Sequence, residues 1–472
     1  MAKIRGRFLT FDDVLLVPKH SFLDSRSEVD LSTKLHQKIT LKLPLISAAM
    51  DTVTEDEMAI ALARKGGIGI IHRFCSIEEQ VKMVQRVKRI ENWIIENPLT
   101  LSPETTLEKA LELAQKYGFW TFLIVDQNQR LLGILTKRDY IFEKNLKTPV
   151  KKLMVPFEKL KVSYRKLSVK EAIEFFKKYR VEKIPIITKE RKIIGLITSK
   201  DVENYSNKKA TKDKKGRLMV GAALGLKDWQ ERASELEKAG VDLLVIDVAH
   251  GHLEKTLKVV RKVKEKFPEI PLMAGNIATP EGAKDLIKAG AEIIKVGIGP
   301  GSSCLTRIVT GVGVPQLGAL MWIREKLPRA ILVADGGCKS SGDIVKALAA
   351  GANAVMLGSL LAGTDEAPGK IINFQNKKVK LFRGMASTMA FEERAKKTNE
   401  KINYLPTSEG IEFGLIPYKG SVYEILDSLE KGLRSGFSYC GAKNLKELWQ
   451  NAEFVEISWG GIKESTMRDE II

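Results

Sequence analysis

"IPLMAGNIATPEGAKDLIKAGAEIIKVGIG" at residues 270–299 contains two short apolar strands on either side of a helical pattern. The apolar residues of "IPLMAGN" and "EIIKVGIG" run together, whereas those of "PEGAKDLIKAGA" recur at helical spacing. Strands that alternate with helices of this length form βαβ units, in which the strands are parallel. The stretch therefore predicts one unit of a parallel α/β fold.

The same pattern recurs along the chain and predicts the fold class. The other strand segments are "PLISAAM" (44–50), "GGIGIIHR" (66–73), "VDLLVIDV" (241–248), "ILVADGG" (331–337), "AVMLGS" (354–359) and a weaker candidate, "RLMVGAAL" (217–224). Eight such units fit a (β/α)8 TIM barrel, although a doubly wound sheet would give much the same local pattern. The carboxyl ends of barrel strands build the site, which predicts one rim formed by Asp247, Asn276 and residues 299–306, 335–337 and 358–359.

An internal repeat interrupts this pattern. "RLLGILTKRDYI" (130–141) matches "KIIGLITSKDVE" (192–203), and the positions that recur 62 residues apart are Gly133/Gly195, Thr136/Thr198 and Asp139/Asp201. The predicted domains are thus a first barrel part (1–92), an insert of two copies (93–207, with copies at about 94–145 and 150–207) and a second barrel part (208–472). A threonine followed by this aspartate can hold a ligand or simply cap a helix, and both interpretations stay open.

Composition limits the classes of protein and partner. Lys and Arg number 77 against 58 Asp and Glu, a net charge of +19 that suits an anionic ligand. The absence of a basic stripe interleaved with aromatic residues argues against a nucleic-acid partner. No uncharged run approaches the roughly 18 residues of a membrane span, and the four cysteines lack C-x-x-C spacing. We expect a cytoplasmic protein with reduced thiols.

Three predicted strand ends are glycine-rich and carry adjacent hydroxyl groups: "GPGSS" (299–303), "DGGCKSSGD" (335–343) and "LGSLLAG" (357–363). Such turns expose backbone N–H groups, which bind a phosphate without a charged side chain. Asp335 precedes its glycine pair, where its carboxylate could accept hydrogen bonds from vicinal ribose hydroxyls. Together these features predict a phosphorylated sugar as ligand.

Cys304 lies in the first of these loops, beside the predicted phosphate site. That setting favours the thiolate, and we interpret Cys304 as a nucleophile rather than a packing residue. The other cysteines, Cys75, Cys338 and Cys440, lack such surroundings. His250 and His252 have no carboxylate or cysteine at a spacing that would complete a metal site.

From "LTFDDVLLVP" (9–18) to "EISWGGIKES" (456–465) the chain resembles the IMP dehydrogenase and GMP reductase family. The most specific match is "GIGPGSSCLTR" (297–307) with "TGVGVPQ" (310–316), supported by "SAAMDTVTE", "ADGG", "AVMLGSLLAG", "GMAS" and "SEGIEFGLIPYKG". The resemblance implies a TIM barrel and a homotetramer or octamer. It also implies that the repeat is a tandem CBS pair, a module that commonly binds adenine nucleotides.

The resemblance also implies roles for matched residues. The catalytic residues would be Cys304, Thr306 and Glu409. IMP/XMP or GMP would be held by Ser302, Asp335, Gly336, Gly337, Gly358, Ser359, Met50, Gly384, Met385 and Glu409, and NAD by Asp247, Asn276, Gly297 and Gly299. Potassium would be held by Gly299, Gly301, Cys304 and Glu464, the last from a neighbouring subunit. Adenine nucleotides would contact Thr136, Asp139, Thr198 and Asp201.

The mobile flap, about 386–420, departs from the pattern of IMP dehydrogenases. These carry an Arg-Tyr pair in which the arginine activates water, and residues 388–408 contain none; the counterparts by spacing are Lys396, Lys397 and Thr398. GMP reductases also lack the pair, and "DGGC" and "KVKLFRGMAS" resemble theirs. Phe382 stands where IMP dehydrogenases commonly have a tyrosine that contacts the phosphate, whereas the flap's length, "YCGAKNLKEL" and "GGIKES" are closer to IMP dehydrogenases. The first expectation is an IMP dehydrogenase (IMP, NAD and water to XMP and NADH). The alternatives are a GMP reductase using NADPH and a catalytically weak sensor of adenine nucleotides.

Overall fold

Eight parallel strands close into a barrel in the larger of two structural units, which comprises Met1–Lys88 and Lys209–Ile472. The computed structural model describes residues 3–90, 94–95, 98–117, 120–205, 209–397 and 407–465. In chain order, barrel strands 1 to 8 are Leu45–Ser47, Ile68–Ile71, Gly221–Leu224, Leu243–Asp247, Leu272–Ile277, Ile293–Val296, Leu332–Asp335 and Ala354–Leu357. Strand 8 pairs with strand 1, so the sheet has no open edge. The (β/α)8 prediction is confirmed, and the doubly wound sheet is excluded.

Helices follow the strands on the outside of the barrel: Asp56–Arg64, Ile77–Arg89, Trp229–Ala239, Glu254–Lys266, Pro280–Lys288, Gln316–Lys326, Ser341–Ala349 and Val422–Tyr439. Sequence signals define their ends. The Thr279 hydroxyl accepts a hydrogen bond from the Gly282 amide at the start of Pro280–Lys288. Gly240, with φ 86°, ends Trp229–Ala239 in the left-handed conformation that glycine adopts most easily.

Smaller elements surround the barrel. Paired strands are Val14–Leu16 with Phe454–Glu456 and Thr33–His36 with Ile39–Leu41, while Ile372–Phe374, Lys377–Phe382 and Gly414–Pro417 form a three-stranded sheet. Short helices cover Thr306–Thr310, Thr388–Lys397, Leu445–Asn451 and Trp459–Glu464. The chain leaves this sheet after Lys377–Phe382, continues into the helix Thr388–Lys397 and re-enters the sheet at Gly414–Pro417.

Apolar side chains fill the interior of the barrel. Ile46, Val245, Met273, Ile293 and Val333, from five strands, have no exposed surface. Complete burial of such a side chain contributes about 1.5–3 kcal/mol. Polar side chains such as Asp247, Asn276, Lys295 and Asp335 lie at or next to the carboxyl ends of their strands, where the barrel opens into its clefts.

The second unit, Arg89–Lys208, contains the internal repeat. Its strands Thr121–Val125 with Leu131–Thr136 and Lys183–Ile187 with Ile193–Thr198 form two hairpins, preceded by the helices Leu107–Tyr117 and Val169–Tyr179. The hairpin turns contain Gln129 (φ 59°) and Arg191 (φ 65°), which are also 62 residues apart. The repeat is therefore structural as well as sequential. Within this unit, Leu123, Leu131, Ile134, Ile187 and Leu196 pack the two copies together.

A buried ion cluster lies in the barrel where the chain leaves it and returns. Lys88 Nζ is 2.9 Å from Asp213 Oδ2 and 2.8 Å from Asp242 Oδ2, and it donates to the Leu218 carbonyl at 2.9 Å. The Lys88 side chain is 4% exposed, so this cation is compensated by two carboxylates out of water. The cluster holds the segments on either side of residues 89–208 to the same barrel.

Across the described ranges, none of the helices combines the length and the apolar character needed to cross a bilayer.

Candidate active site

Loops after barrel strands 1, 6, 7 and 8 enclose a cleft at the carboxyl end of the barrel. It is lined by Ala48, Met50, Pro300, Gly301, Ser302, Ser303, Asp335, Gly336, Gly337, Cys338, Lys339, Met356, Gly358, Ser359 and Phe382. A second cleft shares Met50, Ser303 and Asp335 with it and extends to Asp247, Asn276 and Met385. The structure thus brings most of the substrate-side residues of the prediction into one cleft and Asp247 and Asn276 into the next.

Glycines shape the loop that follows strand 6. Gly297 has φ 149° and Gly299 has φ 89°, and a Cβ at Gly297 would lie 2.1 Å from the Asp335 carbonyl oxygen. Arg307 packs against Gly299 and donates from Nη2 to the Val314 carbonyl at 2.6 Å. Only glycine at position 297 allows the loop to lie this close to strand 7.

Hydrogen bonds join the side chains of Cys304, Thr306 and Glu409. The Cys304 thiol donates to Thr306 Oγ1 at 3.2 Å, and the Thr306 hydroxyl donates to Glu409 Oε2 at 2.9 Å. The main chain fixes this arrangement, since the Leu305 amide donates to the Glu409 carbonyl at 2.7 Å and the Ile411 amide to the Ser303 carbonyl at 2.9 Å. A proton on the thiol therefore has a continuous path to a carboxylate.

The four cysteines differ in their surroundings. Burial raises the pKa of Cys75 to about 12, and it also raises the pKa of Cys338 and of Cys440. Cys304 alone is partly exposed. Because the thiolate is the nucleophilic form, the other three thiols are poorly suited to attack a substrate.

Asp335 is held at the end of strand 7 through one of its two oxygens. Its Oδ2 accepts hydrogen bonds from Lys295 Nζ at 2.6 Å and from Asn276 Nδ2 at 2.9 Å. Lys295 Nζ also contacts Asp247 Oδ1 at 2.7 Å, and its side chain is 3% exposed. Burial opposes its charged form, but Asp247 and Asp335 outweigh burial and raise the pKa of Lys295. The arrangement leaves Asp335 Oδ1 available to a ligand.

Lys295 is a site residue that sequence reasoning missed. It is the single charged residue inside the apolar strand "IIKV", a signal that could have marked it as a buried ion-pair partner. Gln316 was missed as well. Its Nε2 donates to the Val296 carbonyl at 2.8 Å and to the Asp335 carbonyl at 3.3 Å, joining strands 6 and 7 where they end.

The predicted phosphate turns lie side by side. Gly336 and Gly337 have φ 90° and 89°, and both line the same cleft as Gly358 and Ser359. Lys419, which sequence reasoning also missed, donates to the Ser359 carbonyl at 2.5 Å and to the Leu360 carbonyl at 3.2 Å. Lys419 thus holds the turn at residues 358–360 through two of its carbonyl groups. It also places a positive charge near the turn, which suits a phosphate.

The segment after residue 382 covers the cysteine loop. A Cβ at Gly384 would lie 2.7 Å from the Ser303 carbonyl oxygen, so this position packs directly on that loop. The Met385 sulfur accepts a hydrogen bond from the Asp51 amide at 3.5 Å. Arg383 pairs with the Asp51 carboxylate and, at 2.6 Å, with Glu393. These contacts hold Met385 next to the loop that carries Met50.

The helix Thr388–Lys397 begins the predicted flap. Glu412 accepts hydrogen bonds from the Thr388 and Met389 amides at 2.9 and 2.8 Å. Burial would raise its pKa, but hydrogen bonds from Ser408, Met389 and Thr388 outweigh that and hold the pKa of Glu412 at about 2. Lys396 and Lys397 are exposed at the end of this helix. Thr398 lies outside the described residues.

The remaining predicted site residues lie elsewhere. Glu464 is exposed on the helix Trp459–Glu464. In the second unit, Asp139 Oδ2 accepts hydrogen bonds from the amide and hydroxyl of Thr136, at 2.6 and 2.7 Å, as a capping box. Thr198 ends the equivalent strand, and the Asp201 side chain lies outside the described residues.

His252 pairs with Asp285 at 2.9 Å. The part of the chain that the structure describes contains no cluster of three or more His, Cys, Asp and Glu side chains that could hold a metal ion.

Comparisons with known proteins agree with this geometry. The sequence profile described as "IMP dehydrogenase / GMP reductase domain" matches residues 8–468. The inosine-5'-monophosphate dehydrogenase of Aquifex aeolicus is 50% identical, covering 98% of this chain and 95% of that protein. The protein of the same name from Nitrosopumilus maritimus is 47% identical, covering 98% of each chain.

Solved structures give the same result. A GMP reductase variant from Trypanosoma brucei in complex with guanosine 5'-monophosphate superposes with a TM-score of 0.92, at 42% identity over 98% of both chains. Profile, relatives and structure all extend over almost the whole sequence. The chain therefore belongs to the IMP dehydrogenase / GMP reductase family.

Proposed function

We propose that the protein is an IMP dehydrogenase, which converts IMP, NAD and water into XMP and NADH in guanine nucleotide synthesis. The observation that carries this proposal is the hydrogen-bonded series Cys304, Thr306 and Glu409 beside a glycine-lined cleft. The name of the curated relatives supports the direction of the reaction. Attack of a cysteine on a purine nucleotide requires a thiol, a group that accepts its proton and backbone groups that bind the phosphate.

In this proposal the cleft after strands 6, 7 and 8 positions IMP. Backbone N–H groups of Gly337, Gly358 and Ser359, together with Ser302, hold the phosphate, and Asp335 Oδ1 accepts hydrogen bonds from the ribose hydroxyls. Gly336 lets the main chain approach the ligand, and Gly384 brings Met385 over the base from one side. Met50 contacts the base from the other side, and Glu409 reaches its edge.

Cys304 then attacks C2 of the purine as a thiolate, after its proton has passed through Thr306 towards Glu409. Loss of hydride from C2 leaves the purine joined to sulfur. Water adds to C2, the C–S bond breaks, and XMP leaves with Cys304 restored. Glu409 releases the thiol proton to solvent before this step, so that Thr306 and Glu409 can accept the proton of the attacking water, because the flap sequence offers no Arg-Tyr pair for the task.

Asp247 and Asn276 form the nicotinamide side of the site, with the backbone of Gly297 and Gly299 adjoining. The residues fit a dinucleotide, since Asn276 Oδ1 is buried without a hydrogen-bond partner and adjoins the cleft. When bound there, a nicotinamide accepts the hydride from C2. Asn276 Nδ2 is already engaged by Asp335 and by the Gly297 carbonyl at 2.7 Å, which orients its free oxygen.

For the monovalent cation we propose K⁺, held by carbonyl groups of Gly299, Gly301 and Cys304 and by Glu464 of a neighbouring copy. The Gly301 carbonyl accepts one hydrogen bond, from the Cys304 amide at 3.0 Å, and a carbonyl has a second lone pair. The assembly in this proposal is a homotetramer or octamer. Replacement of K⁺ by choline in the assay buffer should lower turnover.

We infer a tandem CBS pair in the second unit, with adenine nucleotides at Thr136, Asp139, Thr198 and Asp201. The repeated hairpins support this inference. A cytoplasmic location fits four free cysteines. A protein that only senses adenine nucleotides would show no turnover and a melting temperature that rises with ATP.

GMP reductase is the second candidate, because residues 388–408 contain no Arg-Tyr pair and Phe382 lines the cleft where the resemblance places a tyrosine in IMP dehydrogenases. A reductase expels ammonia from GMP and needs no attack by water. Thr306 and Glu409 would then deliver the proton to the leaving amine.

One assay separates the two candidates. Purified protein is incubated with IMP and NAD, and separately with GMP and NADPH, while the absorbance of reduced nicotinamide is followed. We expect a rise in the first mixture, with XMP identified by chromatography. A fall in the second mixture without a rise in the first would replace the dehydrogenase by the reductase.

A further inference from the structure

Arg383 is a buried cation that joins three segments around the site. It is 5% exposed, and its guanidinium pairs with the Asp51 carboxylate through Nε, at 3.2 Å from Oδ2, and through Nη2. The same Nη2 atom contacts Glu393 Oε2 at 2.6 Å. One side chain therefore connects the loop after barrel strand 1, the end of the strand Lys377–Phe382 and the helix Thr388–Lys397.

Burial and charge make these contacts strong. The side chains of Arg383 and Asp51 are 6% and 9% exposed, so water and salt screen their attraction little. Burial opposes the charged form of Arg383, but its hydrogen bonds to Asp51 and Glu393 outweigh burial and raise its pKa. The hydrogen bond from Arg383 in turn lowers the pKa of Glu393. Arg383 consequently remains a cation between these two acidic residues.

Backbone hydrogen bonds extend the link from Arg383 to Glu409. The Gly384 amide, next in the chain, donates to the Ile411 carbonyl at 2.9 Å. The Glu409 amide donates to the Ala386 carbonyl at 3.0 Å. The segment that directly follows Arg383 is thus bonded at two points to the segment whose carboxylate ends the path of the thiol proton.

Arg383 also holds the opposite side of the cleft. Asp51 directly follows Met50, which lines the cleft, and the Asp51 amide donates to the Met385 sulfur at 3.5 Å. The loop after strand 1 is therefore attached through its carboxylate to residue 383 and through its amide to residue 385. In the proposed function the base lies between Met50 and Met385. The position of Glu409 relative to the base consequently depends on Arg383.

We propose that Arg383 is a positioning residue: it sets the distance between the loop of Met50 and the carboxylate of Glu409, and so aligns the proton path with C2 of the bound purine. This inference rests on the proposed function, because it concerns the same site. It applies to the dehydrogenase and to the reductase, since both would use Thr306 with Glu409. A misplacement of about 1 Å can lower a rate about a hundredfold, so a side chain outside the lining of the cleft can control the reaction.

Substitution of the guanidinium tests the proposal in the full chain. Arg383→Lys keeps the charge but loses the planar fork that reaches two carboxylates, so kcat should fall about tenfold. The Kd of IMP, measured by calorimetry, should change less than about threefold, because Arg383 does not line the cleft. Arg383→Met should lower kcat about a hundredfold. Thermal melts show which variants are folded, and Arg383→Lys serves alone if Arg383→Met is not.

A milder variant tests the contact with the helix. Glu393→Gln keeps the shape of the side chain but loses its charge, so kcat should fall about threefold. Glu392→Gln is the matched control, because Glu392 lies on the same helix and makes no hydrogen bond or ion pair with the residues that the structure describes. It should leave kcat and the Kd of IMP unchanged. Equal kcat values for the two glutamine variants would contradict a role for the helix contact.

A double variant decides whether Arg383 acts through Glu409. Glu409→Gln removes the proton acceptor, so adding Arg383→Lys to it should lower kcat by less than about twofold. A further loss of about tenfold in that background overturns the proposal, and so does a lower melting temperature of Arg383→Lys with unchanged kcat. An unmodified chain that turns over neither IMP with NAD nor GMP with NADPH contradicts the proposed function, and the role of Arg383 falls with it. An active parent chain therefore distinguishes the two failures.

Discussion

Thr306 with Glu409 and Thr136 with Asp139 form the same kind of hydrogen bond in the two units of the molecule. The distances are 2.9 and 2.7 Å, but the partners are 103 residues apart in the barrel and three apart in the repeat. The short-range pair is a capping box that sets the start of a helix. The long-range pair has no such local role and ends at the Cys304 thiol.

The difference shows how one chemical motif serves two purposes. A pair three residues apart can form at the start of a helix without any tertiary contact. A pair 103 residues apart forms only because backbone hydrogen bonds from Leu305 and Ile411 join the two loops. We refer to Thr306 with Glu409 as the barrel pair and to Thr136 with Asp139 as the repeat pair. We therefore expect the reaction to depend on the barrel pair and the stability of the second unit to depend on the repeat pair.

Removal of the thiol at the end of the barrel pair should have the largest effect. Cys304→Ala should lower kcat by at least about 10⁴-fold, because the covalent bond to C2 can no longer form. Steady-state assays of the pure variant check this, with Cys75→Ala as the matched control. Retained turnover in Cys304→Ala would contradict both the dehydrogenase and the reductase mechanism.

Removal of the cation that pairs with Asp247 and Asp335 should give the next largest effect, this time on stability. Lys295→Met leaves Asp247 and Asp335 facing each other without a cation, and the loss of a buried partner costs about 3–5 kcal/mol. Denaturant unfolding monitored by circular dichroism would show the loss of stability. A second change, Asp247→Asn, should restore part of it; no recovery would mean that repulsion between the carboxylates is not the cause.

The barrel pair itself can be broken without removing the thiol. Glu409→Gln and Thr306→Val should each lower kcat by about 10²- to 10³-fold, because proton transfer loses its acceptor or its relay. The double variant should be little worse than either single variant, since both act in one path. Effects that multiply fully would place the two residues in separate steps.

The repeat pair should give the smallest effect. Thr136→Ala removes the cap and should destabilise the second unit by about 1 kcal/mol while turnover without nucleotide stays unchanged. Thermal unfolding and the standard assay measure the two quantities. A lost response to ATP in this variant would support the nucleotide site proposed at Thr136, whereas an unchanged stability would mean that the cap contributes nothing.

Most of the fold could be predicted from the sequence. All eight strand segments occur in the barrel, because a buried parallel strand leaves a continuous apolar run. The place of Cys304 and of the glycine turns at the carboxyl end of the barrel was also predictable, because Cys304 follows a strand and glycine readily adopts the positive φ of residues 297, 299, 336 and 337.

The partners of the cations around the site could not be predicted from residue patterns, although a lone lysine in an apolar strand marks Lys295 as buried. Lys295 and Lys419 come from two separate segments, and a lysine in sequence shows nothing of what its long side chain reaches. Their roles depend on which carboxylate or carbonyl lies within 3 Å after folding. The link between Thr306 and Glu409 was expected only from the family resemblance, because nothing local joins residues 103 positions apart.

The buried cluster of Lys88 with Asp213 and Asp242 bears on the history of the chain as well as its stability. Its contacts stay within the barrel unit, so they do not depend on side chains between residues 89 and 208. The entropy of closing an intervening loop grows only slowly with its length. The cluster therefore ties the two ends of the insert together at the barrel, so that an insert of different length could leave the same position without opening the barrel.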